Sequence, residues 1–305
     1  MNPAAEAADG QKERTYMDVW LNGAWVPRDK AQVSAFDAGF QHGVGLFETM
    51  HARAGKVLRV IDHLARLRES ARILRLTESL HIEPLAEVIQ QCVERNKFPD
   101  ARVRLTVSGG DLNLLQSSGA RSSHDPTILV VAQPPTQYPP ELFANGVTVR
   151  IADGRVNPLD PMAGHKTLSY WPRLSALQQA GAAGASEALW FSVTNHLACG
   201  CVSNVFLRTG DRLRTPYARG EELPGVLPAP VLPGITRKTI MAIAEQEDIE
   251  VTRAMLTVED VFAADEIFLT NSSWGVLPVV AIGPSAVGSS TPGAMTRQLR
   301  AAWLV

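Results

Sequence analysis

The chain predicts two α+β domains, on three observations. Segments that alternate with period two and segments with apolar residues at helical spacing both run through it, but not in the regular strand–helix–strand order of a doubly wound sheet or a TIM barrel. At 305 residues it is longer than one hydrophobic core usually serves. Near its middle, Gln133-Pro134-Pro135-Thr136-Gln137-Tyr138-Pro139-Pro140 breaks regular structure, because proline lacks an amide donor and restrains the residue before it. That run places the boundary between a smaller N-terminal α/β domain over 17–136 and a larger C-terminal domain over 137–305. Residues 1–16 carry no apolar heart of a signal peptide and read as a disordered tail, with Met17 an alternative start.

In the first domain, Val19 to Pro27 alternates and turns at Asn22-Gly23, a strong short hairpin signal. Asp62 precedes Leu64, Leu67, Ala71 and Leu74 with Arg66, Arg68 and Glu69 between them, the stripe of an amphipathic helix. A second helix is expected over Leu85 to Arg95, then strands over Arg102 to Ser108 and Thr127 to Ala132. Beyond the boundary come a strand at Val147 to Ala152, a helix from Thr167 to Ala180 and a strand at Glu187 to Val193. A hairpin, Val202 to Leu207 and Arg212 to Thr215, turns on Thr209-Gly210-Asp211. A Pro- and Gly-rich loop, Leu223 to Gly234, leads into a helix from Ile235 to Gln246. A strand at Ile249 to Thr252, a short helix near Val258 and a strand at Glu266 to Thr270 complete the pattern.

A net charge of −2 supplies no field for gathering phosphate backbones, which argues against nucleic-acid binding and for small molecules or other chains as partners. There is no apolar run long enough to span a membrane. Three cysteines cannot all pair, and Cys199-Gly200-Cys201 is too tight for a relaxed disulfide, so a reducing, cytoplasmic setting is expected. The seven histidines lack the spacing of metal ligands, and no metal is expected. Gly181-Ala182-Ala183-Gly184 follows a helix rather than a strand and no Gly-Lys-Ser/Thr occurs, so a nucleotide loop is disfavoured.

The chemistry gathers around Lys166. Pyridoxal phosphate requires a lysine for its Schiff base, amides and a cation for its phosphate, and a partner for its ring nitrogen. Leu232-Pro233-Gly234-Ile235-Thr236-Arg237 ends a coil and opens a helix, so the amides of Ile235 and Thr236 stand at a helix N-terminus that favours a dianion. Thr270-Asn271-Ser272-Ser273 adds hydroxyls and amides directly after a strand.

Six segments, Gln32 to Thr49, Asp62-His63-Leu64-Ala65-Arg66-Leu67, His165-Lys166-Thr167-Leu168, Gly200 to Phe206, Leu232 to Arg237 and Thr270 to Val279, resemble in order the blocks of class IV aminotransferases. These are the fold-type IV pyridoxal-phosphate enzymes, which include branched-chain and D-amino-acid aminotransferases and aminodeoxychorismate lyases. The resemblance runs from about Val19 to Val280. It implies a D-amino-acid aminotransferase-like fold with a C-terminal pseudo-barrel, pyridoxal 5′-phosphate as cofactor, and a homodimer. Lys166 would form the Schiff base and Arg66 would pair with the phosphate. Ile235, Thr236 and Ser272 would complete the phosphate cup, with Gly234, Ser203, Asn204 and Asn271 beside it in the same blocks. Tyr170 falls within one residue of the family's ring-hydroxyl tyrosine. His42, Phe47 and Arg104 are expected near the substrate.

One position departs from the pattern. Where the family has a glutamate facing the pyridine nitrogen, this chain has Cys199, a weak donor that as a neutral thiol cannot serve as counter-ion. Either Cys199 ionises beside the cofactor, or a neighbour supplies charge, or the electron sink is weakened. The expected activity is transamination between an amino acid and a keto acid. Local wording at Gly43 to Thr49 and Ala101 to Leu105 also resembles aminodeoxychorismate lyases, and Cys199 keeps a catalytically silent, cofactor-binding relative as a further alternative.

Overall fold

The computed structural model describes residues 17–111 and 126–304; the N-terminal tail expected over 1–16 lies outside them. Strands β1 (Asp18–Leu21) and β2 (Ala24–Pro27) form the expected hairpin, with Asn22 at φ 48° and Gly23 at φ 91°. Both turn residues are left-handed, as a two-residue hairpin matched to strand twist requires, and glycine adopts that conformation without strain. Helix α1 (Ala38–His42) follows, then β3 (Gly45–Arg53), β4 (Lys56–Val57), α2 (Val60–Ile73), α3 (Ile82–Arg95), β5 (Ala101–Ser108) and β6 (Ile128–Gln133). These six strands make one sheet in the order β2-β1-β6-β5-β3-β4, every pairing antiparallel. Along β5 buried Ala101, Val103, Leu105 and Val107 alternate with half-buried Arg102, Arg104 and Thr106. The buried side packs under Leu64 and Leu67 of α2 and Leu85 and Ile89 of α3. The opposite side carries the two arginines.

The second sheet begins after α4 (Glu141–Ala144) with β7 (Val147–Val156). It continues through α5 (Trp171–Ala182), β8 (Glu187–Ser192), β9 (Leu197–Cys199), β10 (Asn204–Thr209), β11 (Arg212–Pro216), α6 (Ile235–Gln246), β12 (Val251–Ala254), α7 (Val258–Phe262), β13 (Glu266–Asn271), β14 (Gly275–Ile282), β15 (Ser285–Ala286) and α8 (Ala294–Leu304). Its nine strands run β12-β11-β10-β13-β14-β7-β8-β9, with β15 on β14, and mix parallel and antiparallel pairs. Every residue of β8 is buried, because helix covers one face and loop and core cover the other. Helix α5 covers the sheet through Ala176 and Ala180 against Trp190, while α6 and α8 cover Phe206 and Phe268, whose rings stack with centroids 4.9 Å apart.

Two sequence expectations need correction. The helix expected from Thr167 starts at Trp171, because residues 166–168 pair with β3 instead: Phe47 N–H donates to the Lys166 carbonyl (2.9 Å) and Leu168 N–H to the Gly45 carbonyl (2.9 Å). The strand expected at Ile249 to Thr252 lies at Val251–Ala254, where it pairs in parallel with β11. Strands β3, β9 and β14 and helix α8 went without expectation.

Candidate active site

The short pairing between β3 and residues 166–168 brings Lys166 against the first sheet and builds the site. A cavity of about 600 Å³ opens there. Arg66, Lys166, Tyr170, Cys199, Ser203, Asn204, Gly234, Ile235, Thr236, Asn271 and Ser272 all line it, as do Phe47 and Arg104. His42 does not: it is exposed on the last turn of α1, which a left-handed Gly43 terminates.

Lys166 Nζ lies 4.3 Å from the ring centroid of Phe47, whose ring meets Tyr170 edge-on at 5.4 Å. Arg104 Cζ sits 4.0 Å from the same Phe47 centroid. Burial draws the Lys166 amine down to about 8; Glu48 works against this, while Arg66, Arg104 and Arg102 add to it. A lysine amine near that value is free to act as a nucleophile at mildly alkaline pH.

Arg66 is held in place rather than solvated. Its Nε and Nη2 donate to the two oxygens of Glu48 (2.9 and 2.6 Å), and its Nη1 donates to the Pro233 carbonyl (2.9 Å). Glu48 is 1% exposed and also bonds His63 Nδ1 (2.7 Å). Burial would raise its carboxyl, but Arg66 and His63 hold it at about 2. Beside Arg66, α6 begins at Gly234 with no side-chain cap, so the first amides of a twelve-residue helix face the cavity. Arg237 fixes this helix start through Glu221 (2.9 and 2.7 Å) and the Pro216 carbonyl (2.9 Å).

Tyr170 Oη donates to the Cys201 carbonyl (2.9 Å), and burial pushes its phenol up. The turn after β9 is shaped by Glu187, which accepts from the amides of Ala188, Cys201 and Val202 and from Ser203 Oγ. Gly200 is required there, since a Cβ would meet Glu187 Oε1 at 2.6 Å. Glu187 therefore stands behind the wall. No Asp or Glu lines the cavity among the described residues, whereas Arg66, Arg102, Arg104, Lys166 and Arg173 all do. Arg102, Arg173, Glu48 and Glu187 were not singled out from the sequence. The two-residue period of β5 places Arg102 beside Arg104 and could have found it; the other three depend on contacts across more than one element.

The chain belongs to the class IV amino-transferase family, whose model matches residues 45–282. It is 32% identical over 289 residues to a putative branched-chain-amino-acid aminotransferase of Methanocaldococcus jannaschii, covering 93% of this chain and 94% of that one. Among solved structures it is similar to the T.th. branched-chain amino acid aminotransferase with pyridoxamine 5′-phosphate (TM-score 0.84, 26% identity, 94% and 92% of the two chains). It is similar as well to the 4-amino-4-deoxychorismate lyase of Pseudomonas aeruginosa (TM-score 0.77, 26% identity, 93% and 97%). The fold is thus α+β of fold-type IV, and the protein is an enzyme of a family that uses pyridoxal phosphate. The site suits that cofactor: an uncapped helix start and Arg66 face the cavity, a half-buried lysine stands in it, and buried Thr270 Oγ1, His165 Nε2 and Trp274 Nε1 in its wall have no partner.

Proposed function

We propose that the chain is a pyridoxal-phosphate-dependent aminotransferase acting at the α-carbon of an amino acid, with Lys166 as the residue that carries the cofactor. When bound, the cofactor supplies a carbonyl that joins an amine and a ring that draws electrons from the α-carbon. The amides of Ile235 and Thr236, with Arg66 and Ser272, hold the phosphate; Gly234, Ser203, Asn204 and Asn271 shape the same wall. Tyr170, Cys199 and Phe47 bound the ring. Lys166, once displaced by a substrate amine, moves the proton at the α-carbon. Arg104, with Arg102, orients a substrate carboxylate. Domains over 17–136 and 137–305, a homodimer and a cytoplasmic setting belong to this reading. None of the described helices is long and apolar enough to cross a membrane, and no cluster of three or more His, Cys, Asp or Glu is placed to hold a metal among the described residues.

The observation that carries the reading is Lys166 itself, an amine drawn down to about 8 in a cavity rich in cations. Lys166→Ala should abolish borohydride-fixed cofactor labelling and lower turnover by about 10³-fold or more, the scale of losing a nucleophile that is also the acid–base group. A labelled Lys166→Ala protein would refute the assignment. Addition of single L- and D-amino acids to the wild-type holoenzyme, followed by absorption, names the amino donor.

Aminodeoxychorismate lyase is the second reading, and one observation favours it. Arg102 and Arg104 project from one face of β5 into the cavity, two cations suited to a substrate with two carboxylates. Release of 4-aminobenzoate and pyruvate from aminodeoxychorismate, with no amino acid converted, would decide for it.

A further inference from the structure

Arg173, in the first turn of α5, reaches behind Cys199 at the end of β9. Its Nη1 donates to Cys199 Sγ (3.2 Å) and to the Gly200 carbonyl (3.2 Å), and its Cζ lies 4.5 Å from the ring centroid of buried Trp190. The guanidinium is therefore fixed by a sulfur, a carbonyl and an aromatic face.

Among the other titratable groups here, Tyr170 and Cys201 are kept neutral, and the one carboxylate, Glu187, stands behind the turn and not in the cavity. Burial raises the Tyr170 phenol, and it pushes the Cys201 thiol up to about 12, with Trp190 Nε1 bonded to that sulfur at 3.3 Å. The Glu187 carboxylate is occupied by three backbone amides and Ser203 Oγ, and it faces away from the cavity.

Resting on the cofactor reading above, we propose that Arg173 and Cys199 hold the ring nitrogen of bound pyridoxal phosphate unprotonated. That nitrogen is para to the ring carbon bearing the aldehyde, and Cys199 occupies the position that faces it in the family pattern, on the cavity that Lys166 also lines. A protonated ring nitrogen would need an acceptor, best an anion; here the sulfur already accepts from Arg173, and the adjacent cation opposes a second positive charge. An unprotonated nitrogen is an acceptor and matches the weak S–H donor of Cys199. A ring held in that state would draw less charge from the substrate α-carbon and leave more of the work to proton movement by Lys166. Arg173 acts through Cys199 and is a positioning residue.

The test is the nitrogen magnetic resonance shift of holoenzyme reconstituted with cofactor carrying the heavy nitrogen isotope in the ring. The wild-type signal at neutral pH should fall at the unprotonated position, and Arg173→Gln should move it toward the protonated one. Cys199→Glu combined with Arg173→Gln should move it fully. A wild-type signal at the protonated position overturns the proposal while leaving the Lys166 reading intact, because the cofactor is still bound. Absence of any Lys166-bound cofactor overturns both. If Arg173→Gln fails to fold, Arg173→Lys, which keeps charge but not the bond geometry, should give a signal still at the unprotonated position at neutral pH but with a shifted titration; an unmoved titration there counts against Arg173.

Discussion

Two buried carboxylates stand behind the cavity wall, one on each sheet, and they are engaged in different ways. Glu48 on β3 pairs with a full positive charge, Arg66, and with His63. Glu187 on β8 accepts from neutral donors, three amides and a hydroxyl. The first arrangement aims a cation into the cavity; the second shapes a backbone turn and leaves Cys199 and Arg173 to form the surface. One acid sets the charge of the site and the other sets its outline, so the cavity itself is cationic although it is framed by acids.

The same substitution at both positions separates these roles. Glu48→Gln leaves the largely buried Arg66 without its counter-charge and should cost about 3 kcal/mol, the lower end of the scale for breaking a buried ion pair. Glu187→Gln keeps the shape but turns an amide NH₂ toward N–H donors, and should cost about 1–3 kcal/mol, the scale of leaving buried groups unsatisfied. Equilibrium urea unfolding of the two variants measures both. Equal losses would break the distinction. Acid titration of the wild type checks it independently. Glu48 has its carboxyl lowered from 4.5 to about 2, so its contribution is complete above about pH 4.5 and fades as pH falls toward about 2.

A smaller effect sharpens the contrast at the Lys166 amine. Glu48 is the group that raises Lys166 against burial and the neighbouring arginines. Cofactor capture by wild-type protein should therefore rise with pH through about 8, as the amine loses its proton. In Glu48→Gln that profile should move to lower pH, because the remaining neighbours all disfavour the charged amine. Glu187 is not among the main groups that shift Lys166, and Glu187→Gln should leave the midpoint nearly where it is. A shift in the second variant, or none in the first, would show that the two acids act on the amine alike.

The two walls were also unequally legible in the sequence. Helix α6 and its cavity-facing start followed from local signals, a Pro-Gly loop opening on Ile235, and the observed Ile235–Gln246 matches the expected span. The Asn22-Gly23 hairpin was legible for the same reason: two residues decide it. The start of α5 was not, because a helical pattern from Thr167 gives way to pairing with β3, and that pairing partner lies more than a hundred residues away. Strand β3 is buried at Gly45 to Glu48 in succession and alternates only from Thr49 to Arg53, so its first half gives no period-two signal. Arg173 and Glu187 sit on elements that were placed correctly or nearly so, yet their roles arise only where α5, β8 and β9 converge. A motif can mark Cys199 as unusual; only the packing shows that a guanidinium stands behind it.

The finest distinction concerns Ser203, which lines the cavity and donates its hydroxyl to Glu187 (2.8 Å). It could belong to the cofactor's cradle, as the family pattern implies, or to the frame that Glu187 organises. Ser203→Ala removes one of several bonds to a carboxylate that keeps its backbone amides, so unfolding should cost about 1 kcal/mol. If Ser203 serves the frame alone, cofactor affinity stays within about twofold of wild type, and the stability losses of Ser203→Ala and Glu187→Gln are non-additive because the two share a bond. A tenfold weaker cofactor, with additive stability losses, would move Ser203 out of the frame and into the cradle, and would make the wall behind Cys199 a binding surface as well as an outline.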